Sequence, residues 1–170
     1  PVDVIIVVEG TGEEVHEAEE EAISEPEVEI VSEESVEITG DDLESLLTVG
    51  ERTMSILFGS QSGNSEELAA KFAKQAINYG LDATVHDMDG FDLSSLPEMK
   101  RVLIICSTWG EGEMPDNAEE LWLQASADSA PNLSGVNFSI LALGDTSYEF
   151  YCQSGKDWDD RLQQLGATRL

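Results

Sequence analysis

The sequence predicts an α/β domain over residues 51–170, a doubly wound parallel sheet with helices on its faces, behind an acidic linker or tail at residues 1–50. Two observations predict the sheet. Short, almost wholly apolar runs alternate with longer segments whose apolar residues recur at helical spacing, the pattern of repeated strand–helix–strand units. The main runs are apolar at nearly every position, as strands covered on both faces are. A third observation sets the boundary: residues 1–50 hold 17 of the 36 acidic side chains and none of the 8 basic ones. A charge shift of that size marks a change of module.

Residues 54–58 read as the first buried strand, closed by Gly59. Residues 66–79 then place Leu68, Ala69, Phe72, Ala73, Ala76 and Ile77 on one stripe of a helix that stops at Gly80. Residues 83–86 are a second strand and residues 102–106 a third. Residues 115–127 form a second helix, capped by Asp116 with Glu119 in capping-box spacing, and Leu121, Trp122 and Ala125 lie inward. Residues 136–143 are a fourth strand, and residues 158–165 a third helix stopped by Gly166. Right-handed crossovers bring the loops after the first, third and fourth strands to one sheet edge, where such folds bind ligands.

The first fifty residues offer less. Residues 2–8 can make one short strand, residues 27–38 alternate weakly, and residues 41–47 suffice for a turn or two of helix. Apolar residues there are too few for a second core, and like charges at this density oppose compaction. The segment reads as a flexible arm, with docking on the following domain as the alternative.

The net charge of -28 excludes nucleic acid and anionic membranes as partners. It suits a basic partner protein, although acid that only keeps the chain in solution gives the same composition. The apolar run at residues 4–8 is too short to span a membrane, and no positively charged leader precedes it. Cys106 and Cys152 form neither a disulfide framework nor a CxxC pair, which points to a reducing, cytoplasmic setting. His16 and His86 stand apart from any ligand cluster, so no metal site is expected.

The least ordinary residues fall in the three converging loops. Loop one is Ser60, Gln61, Ser62, Gly63, Asn64 and Ser65, set between a strand and a helix. Its turn and the helix start aim amide N–H groups at one point, and its hydroxyls add donors, so a phosphate can bind without Lys or Arg. It lacks the Lys of a Walker loop and the Gly-x-Gly-x-x-Gly of a dinucleotide fingerprint, which counts against ATP and NAD. A serine-rich turn with no ligand is the plain alternative. Loop two is Ser107, Thr108, Trp109, Gly110, Glu111 and Gly112, with a tryptophan able to stack on a flat ring and glycines able to let a peptide turn over. Loop three runs through Leu143, Gly144, Asp145, Tyr148, Phe150, Tyr151 and Cys152, where Tyr148 offers a second ring. One phosphate site beside two flat platforms suits FMN.

Three stretches resemble flavodoxins: SILFGSQSGNSEELA (55–69), CSTWGEGEMPDNAEELW (106–122) and LGDTSYEFYCQSGKDWDDRLQQLGATRL (143–170). They are more similar to the FMN domains of diflavin reductases, and YEFYCQSGKDWD is most similar to the flavoprotein subunit of bacterial sulfite reductase. The resemblance covers residues 54–170 and says nothing about residues 1–50. It implies a flavodoxin-like sheet in strand order 2-1-3-4-5, with the fifth strand and last helix missing or incomplete at Leu170; residues 2–8 could fill the vacant edge, with only their apolarity in favour. It also implies a role for each matched position. Loop one would hold the FMN phosphate, and Trp109 and Tyr148 would flank the ring. The Gly110 carbonyl would face N5 of the half-reduced flavin, while Gly144, Asp145 and Cys152 would lie beside the ring or the ribityl chain. The function implied is one-electron transfer from an NADPH/FAD module to a haem or iron–sulfur acceptor, with no catalytic acid or base. A stand-alone flavodoxin and a flavin-free interaction domain are the alternatives.

Overall fold

The computed structural model describes residues 3–7 and 52–170. The strands are β1 (Asp3–Val7), β2 (Thr53–Gly59), β3 (Asp82–Asp87), β4 (Arg101–Ser107), β5 (Asn137–Gly144) and β6 (Thr168–Arg169). The helices are α1 (Asn64–Ala76), α2 (Asp116–Ser126) and α3 (Gln153–Gln164). The arm segments at residues 27–38 and 41–47, and His16, lie outside the described residues.

Strands β2 to β6 are parallel and lie side by side as β3-β2-β4-β5-β6, the expected 2-1-3-4-5 arrangement. The fifth place is held by the two residues of β6, which pair with Asn137 and Phe138 at the start of β5. The rest of the same β5 edge is covered by β1, which runs antiparallel from Asp3 opposite Gly144 to Val7 opposite Ile140. The apolar run at the chain start is thus a sheet strand, and the edge it covers is the one beyond the fourth strand of the domain.

Burial on both faces explains the unbroken apolar runs. In β4, Val102, Ile104 and Cys106 enter the layer beneath α2 and α3, where Leu121, Ala125, Trp158 and Leu162 meet them. Leu103 and Ile105 enter the other layer, against Ala69 with Leu68 and Phe72 of α1. Successive strand residues point to opposite faces, so every position of β4 from Val102 to Cys106 is buried.

Three local expectations are corrected. The third helix starts at Gln153, five residues before Trp158. Its first turn has no apolar stripe because Ser154 and Gly155 are buried against the sheet, and a Cβ on Gly155 would run into Ala142. Asp116 does not cap α2. Pro115 holds the cap position with no side-chain hydrogen bond, and Asp116 is the first helical residue, bonded instead to Gln61. Ile77 leaves the α1 stripe and is exposed, because the last turn, Ile77–Tyr79, tightens to a 3-10 helix before Gly80. A further 3-10 segment, Leu93–Glu98, buries Leu93 and Leu96; Asp92 caps it through Ser94, whose hydrogen bonds hold the Asp92 carboxyl below the usual range.

Two arginines fasten α3. Arg161 donates to the carbonyls of Ala125 and Ala127 at the end of α2. Arg169 of β6 grips the buried Asp159 with two hydrogen bonds, tying the short fifth strand to the helix above it.

Candidate functional site

Strands β2, β4 and β5 end on one edge of the sheet, and loops one, two and three leave from there. Register brings them together. Gly59 pairs with Cys106 and Ser107 with Leu143, so adjacent strands release their loops at the same height. The Ser107 hydroxyl donates to the Gly59 carbonyl (3.3 Å), and the Thr108 N–H to the Leu143 carbonyl (3.0 Å).

Loop one curls back on itself. The Ser65 N–H donates to Ser60 Oγ (3.2 Å), and Gly63 takes the cap position of α1 at φ 86 with no side-chain cap. The cap residue itself thus brings no side chain to the start of α1, where Ser60 Oγ engages the Ser65 N–H. Ser62, Gly63 and Asn64 are exposed, whereas Ser65 is fully buried and its hydroxyl has no hydrogen-bond partner. An orphaned buried hydroxyl costs about 1–3 kcal/mol, and a ligand oxygen at this helix start would satisfy it.

Loop two is a tight turn. Trp109 and Glu113 exchange backbone hydrogen bonds (2.9 and 2.8 Å), and Gly110 sits at φ +52. A Cβ at Gly110 would run into the Glu113 carboxylate, which accepts the Glu111 N–H at 3.1 Å. The start of α3 buttresses this turn through Ser154. Its N–H donates to Thr108 Oγ1 (3.3 Å) and its hydroxyl to the Glu113 carbonyl (2.8 Å).

Loop three is folded around Asp145, which accepts both the N–H and the hydroxyl of Ser147. Those bonds hold the Asp145 carboxyl below the usual range, so it is an anion at neutral pH. The loop ends at Cys152, a left-handed residue with its thiol buried. Its backbone N would lie 2.7 Å from a Cβ at Gly144, so only glycine fits there.

Loops two and three enclose a cavity of about 290 Å³ lined by Thr108, Trp109, Gly110, Gly144, Asp145, Tyr148, Phe150, Tyr151 and Cys152. Of the rings that line it, Trp109 and Tyr148 are the most exposed, at 53% and 65%. The other expected residues fall elsewhere. Ser60 to Ser65 form loop one beside the cavity, not on its wall. Ser107 joins loops one and two, Glu111 is exposed at the turn, Gly112 packs toward Phe150, and Leu143 is buried in the sheet. Two further residues, Asn117 and Ser154, shape these loops; their contacts reach across loops, and neither spacing nor composition signals them.

A parallel sheet whose strand order reverses at β2, with an open helix start and an aromatic-lined cavity at its carboxyl edge, defines a mononucleotide-binding α/β domain. The chain belongs to the flavodoxin family, which it matches over residues 56–170. It is 44% identical over 119 residues to the sulfite reductase (NADPH) flavoprotein alpha-component of Bacillus subtilis (strain 168), covering 70% of this chain and 20% of that protein. Against the same-named component of Shewanella oneidensis the identity is 43% over 119 residues, with the same shares. The chain thus spans about one-fifth of the length of these relatives. Among solved structures it is similar to a Streptococcus pneumoniae TIGR4 flavodoxin, with TM-score 0.58 and 28% identity, covering 69% of this chain and 79% of that one. A cysteine-to-alanine mutant of the flavodoxin from Pseudomonas aeruginosa gives TM-score 0.58 and 30% identity, covering 69% and 78%.

FMN is the cofactor of this family, and the residues present fit it. The orphaned Ser65 hydroxyl at the start of α1 suits a phosphate oxygen, and a cavity lined by Trp109 and Tyr148 suits a flat ring.

Proposed function

We propose that residues 52–170 are the FMN-binding electron-relay domain of a diflavin reductase. It would take electrons from an NADPH/FAD module and pass them to a haem or iron–sulfur acceptor of the sulfite reductase kind. The observation that carries the reading is the pairing of a phosphate-ready helix start, with its unsatisfied Ser65 hydroxyl, and an aromatic-lined cavity on the neighbouring loops. The higher identity to sulfite reductase flavoproteins than to the solved flavodoxins supports the diflavin branch over a stand-alone carrier.

FMN, when bound, supplies one-electron redox chemistry that no side chain offers. The chain's own residues do the rest. Loop one, Ser60 to Ser65, binds the phosphate through backbone N–H groups and hydroxyls. Trp109 and Tyr148 flank the ring and exclude water from its faces. The Gly110 carbonyl serves as the acceptor for a ring N–H, and its glycine lets that peptide turn. Asp145 and the exposed Glu111, Glu113 and Glu149 surround the cavity with negative charge, which opposes a second negative charge within it. The acidic surface suits a basic partner protein or a linked FAD/NADPH module.

The two buried cysteines, Cys106 and Cys152, lie in no CxxC pair, which favours a reducing, cytoplasmic compartment. Among the described residues no helix is long and apolar enough to cross a membrane. The test is titration of the flavin-free protein with FMN, followed by tryptophan quenching and flavin absorption. Saturable binding with one FMN per chain is expected. A protein that leaves added FMN unchanged would refute the proposal.

A further inference from the structure

Loop one is held in shape from outside itself. The Ser60 N–H donates to Asn117 Oδ1 (2.8 Å), across 57 residues of sequence. The Asn117 amide nitrogen donates to the Asp87 carboxylate (2.8 Å) and to the Phe58 carbonyl (3.4 Å). One half-buried side chain therefore ties together the end of β2, the first residue of loop one and the end of β3. Next to it, Gln61 and Asp116 form a reciprocal pair. The Asp116 N–H donates to Gln61 Oε1 and Gln61 Nε2 to the Asp116 carboxylate, each at 3.0 Å. The first two residues of α2 thus hold the first two residues of loop one. That helix is also where loop two ends, because only Met114 and Pro115 separate Glu113 from Asp116.

We propose that Asn117 and Asp116 are positioning residues that clamp loop one in its phosphate-binding shape. The proposal rests on the FMN reading above and deepens it. Two effects follow from the geometry. Ser60 N–H is spent on Asn117, so it points away from the loop interior, and this fixes Ser60 Oγ to receive the Ser65 N–H. The loop is then closed before a phosphate arrives, and ordering it does not have to be drawn from binding free energy. Asp116 faces Gln61 as an acceptor, so its charge is engaged by a donor close to where an anion is to bind.

The clamp acts on the phosphate end alone, so its loss separates FMN from riboflavin, the same ring without a phosphate. Asn117→Ala is expected to lower FMN affinity on the order of tenfold, the equivalent of one well-made hydrogen bond, and to leave riboflavin affinity unchanged. In the flavin-free protein the Ser60 amide is expected to exchange its hydrogen on the order of tenfold faster, as its bond to Asn117 is gone. Asn117→Asp keeps an acceptor for Ser60 but sets its other oxygen against the Asp87 carboxylate, so FMN affinity again falls. Combining N117D with D87N restores a donor across that contact and should recover most of the loss. Asp116→Ala gives a second, milder reading through Gln61.

Equal losses for FMN and riboflavin, or no change in either affinity and in Ser60 exchange, would overturn the proposal. Failure of the unsubstituted protein to bind either flavin would overturn the cofactor reading instead. The exchange measurement is made without flavin and keeps the two failures apart.

Discussion

Gly110 is the position where a single methyl group tests the loop-two turn most severely. At φ +52 a Cβ costs about 1 kcal/mol in backbone strain. In Gly110→Ala that atom also runs into the Glu113 carboxylate and displaces it from the Glu111 N–H. The lost bond is charge-assisted but exposed, so roughly 1 kcal/mol is a fair share for it. Together about 2 kcal/mol stands against the turn that binding requires, a factor of roughly 30 in the equilibrium between the turn and an open loop. FMN affinity should fall by a similar factor. The separation between the two one-electron midpoint potentials should narrow, because the added Cβ restricts turning of the Gly110–Glu111 peptide. In a Glu113→Ala background the collision is gone, and the same substitution should cost only about 1 kcal/mol, roughly fivefold. Fluorescence titration of the parent, the two single variants and the double variant completes the cycle. A Gly110→Ala protein that binds FMN within twofold of the parent, with no difference between backgrounds, would refute the reasoning.

Trp109→Ala should weaken FMN binding about tenfold and brighten the emission of bound flavin, since a stacked indole quenches it; unchanged emission would remove Trp109 from the ring. Burial pushes the Cys106 thiol up to about 12 from an ordinary 9.0, with the Trp158 indole pulling weakly the other way. The folded state thus keeps the neutral thiol while the unfolded chain ionises. This contribution to stability is complete below pH 9 and is lost as pH rises toward 12, by up to about 1.4 kcal/mol per pH unit. Urea unfolding between pH 8.5 and 10.5 should therefore show a steeper decline in the parent than in Cys106→Ala, and parallel slopes would contradict the assignment. Electron transfer to a basic haem or iron–sulfur protein should slow as salt is raised, and neutralising Glu111, Glu113 and Glu120 should slow it at low salt. Stopped-flow rates that ignore both changes would assign the acid to solubility alone.

The sheet was legible because its strands are buried on both faces, which leaves runs such as Val102 to Cys106 apolar at every position. The three loops were legible because their unusual residues sit directly after those strands. What escaped has physical causes. The first turn of α3 packs by smallness, with Ser154 and Gly155 against Ala142, and an apolar-stripe criterion does not register small residues. Asp116 and Glu119 have the spacing of a capping box, but the Asp116 carboxylate has a better placed donor in Gln61, 55 residues away. Asn117 looks like any polar residue in a first helical turn, and only the fold brings Ser60, Phe58 and Asp87 to it. The strand at residues 3–7 showed nothing but apolarity, which made it a candidate for the vacant sheet edge it covers but gave neither its direction nor its register.

The central claim is that this domain holds FMN so that electrons pass one at a time. Spectroelectrochemical titration of the FMN-loaded protein tests it most directly. The acidic cavity rim and the Gly110 peptide predict two resolved one-electron steps, the second at clearly lower potential than the first. A single two-electron wave, as unbound flavin tends to give, would contradict the account.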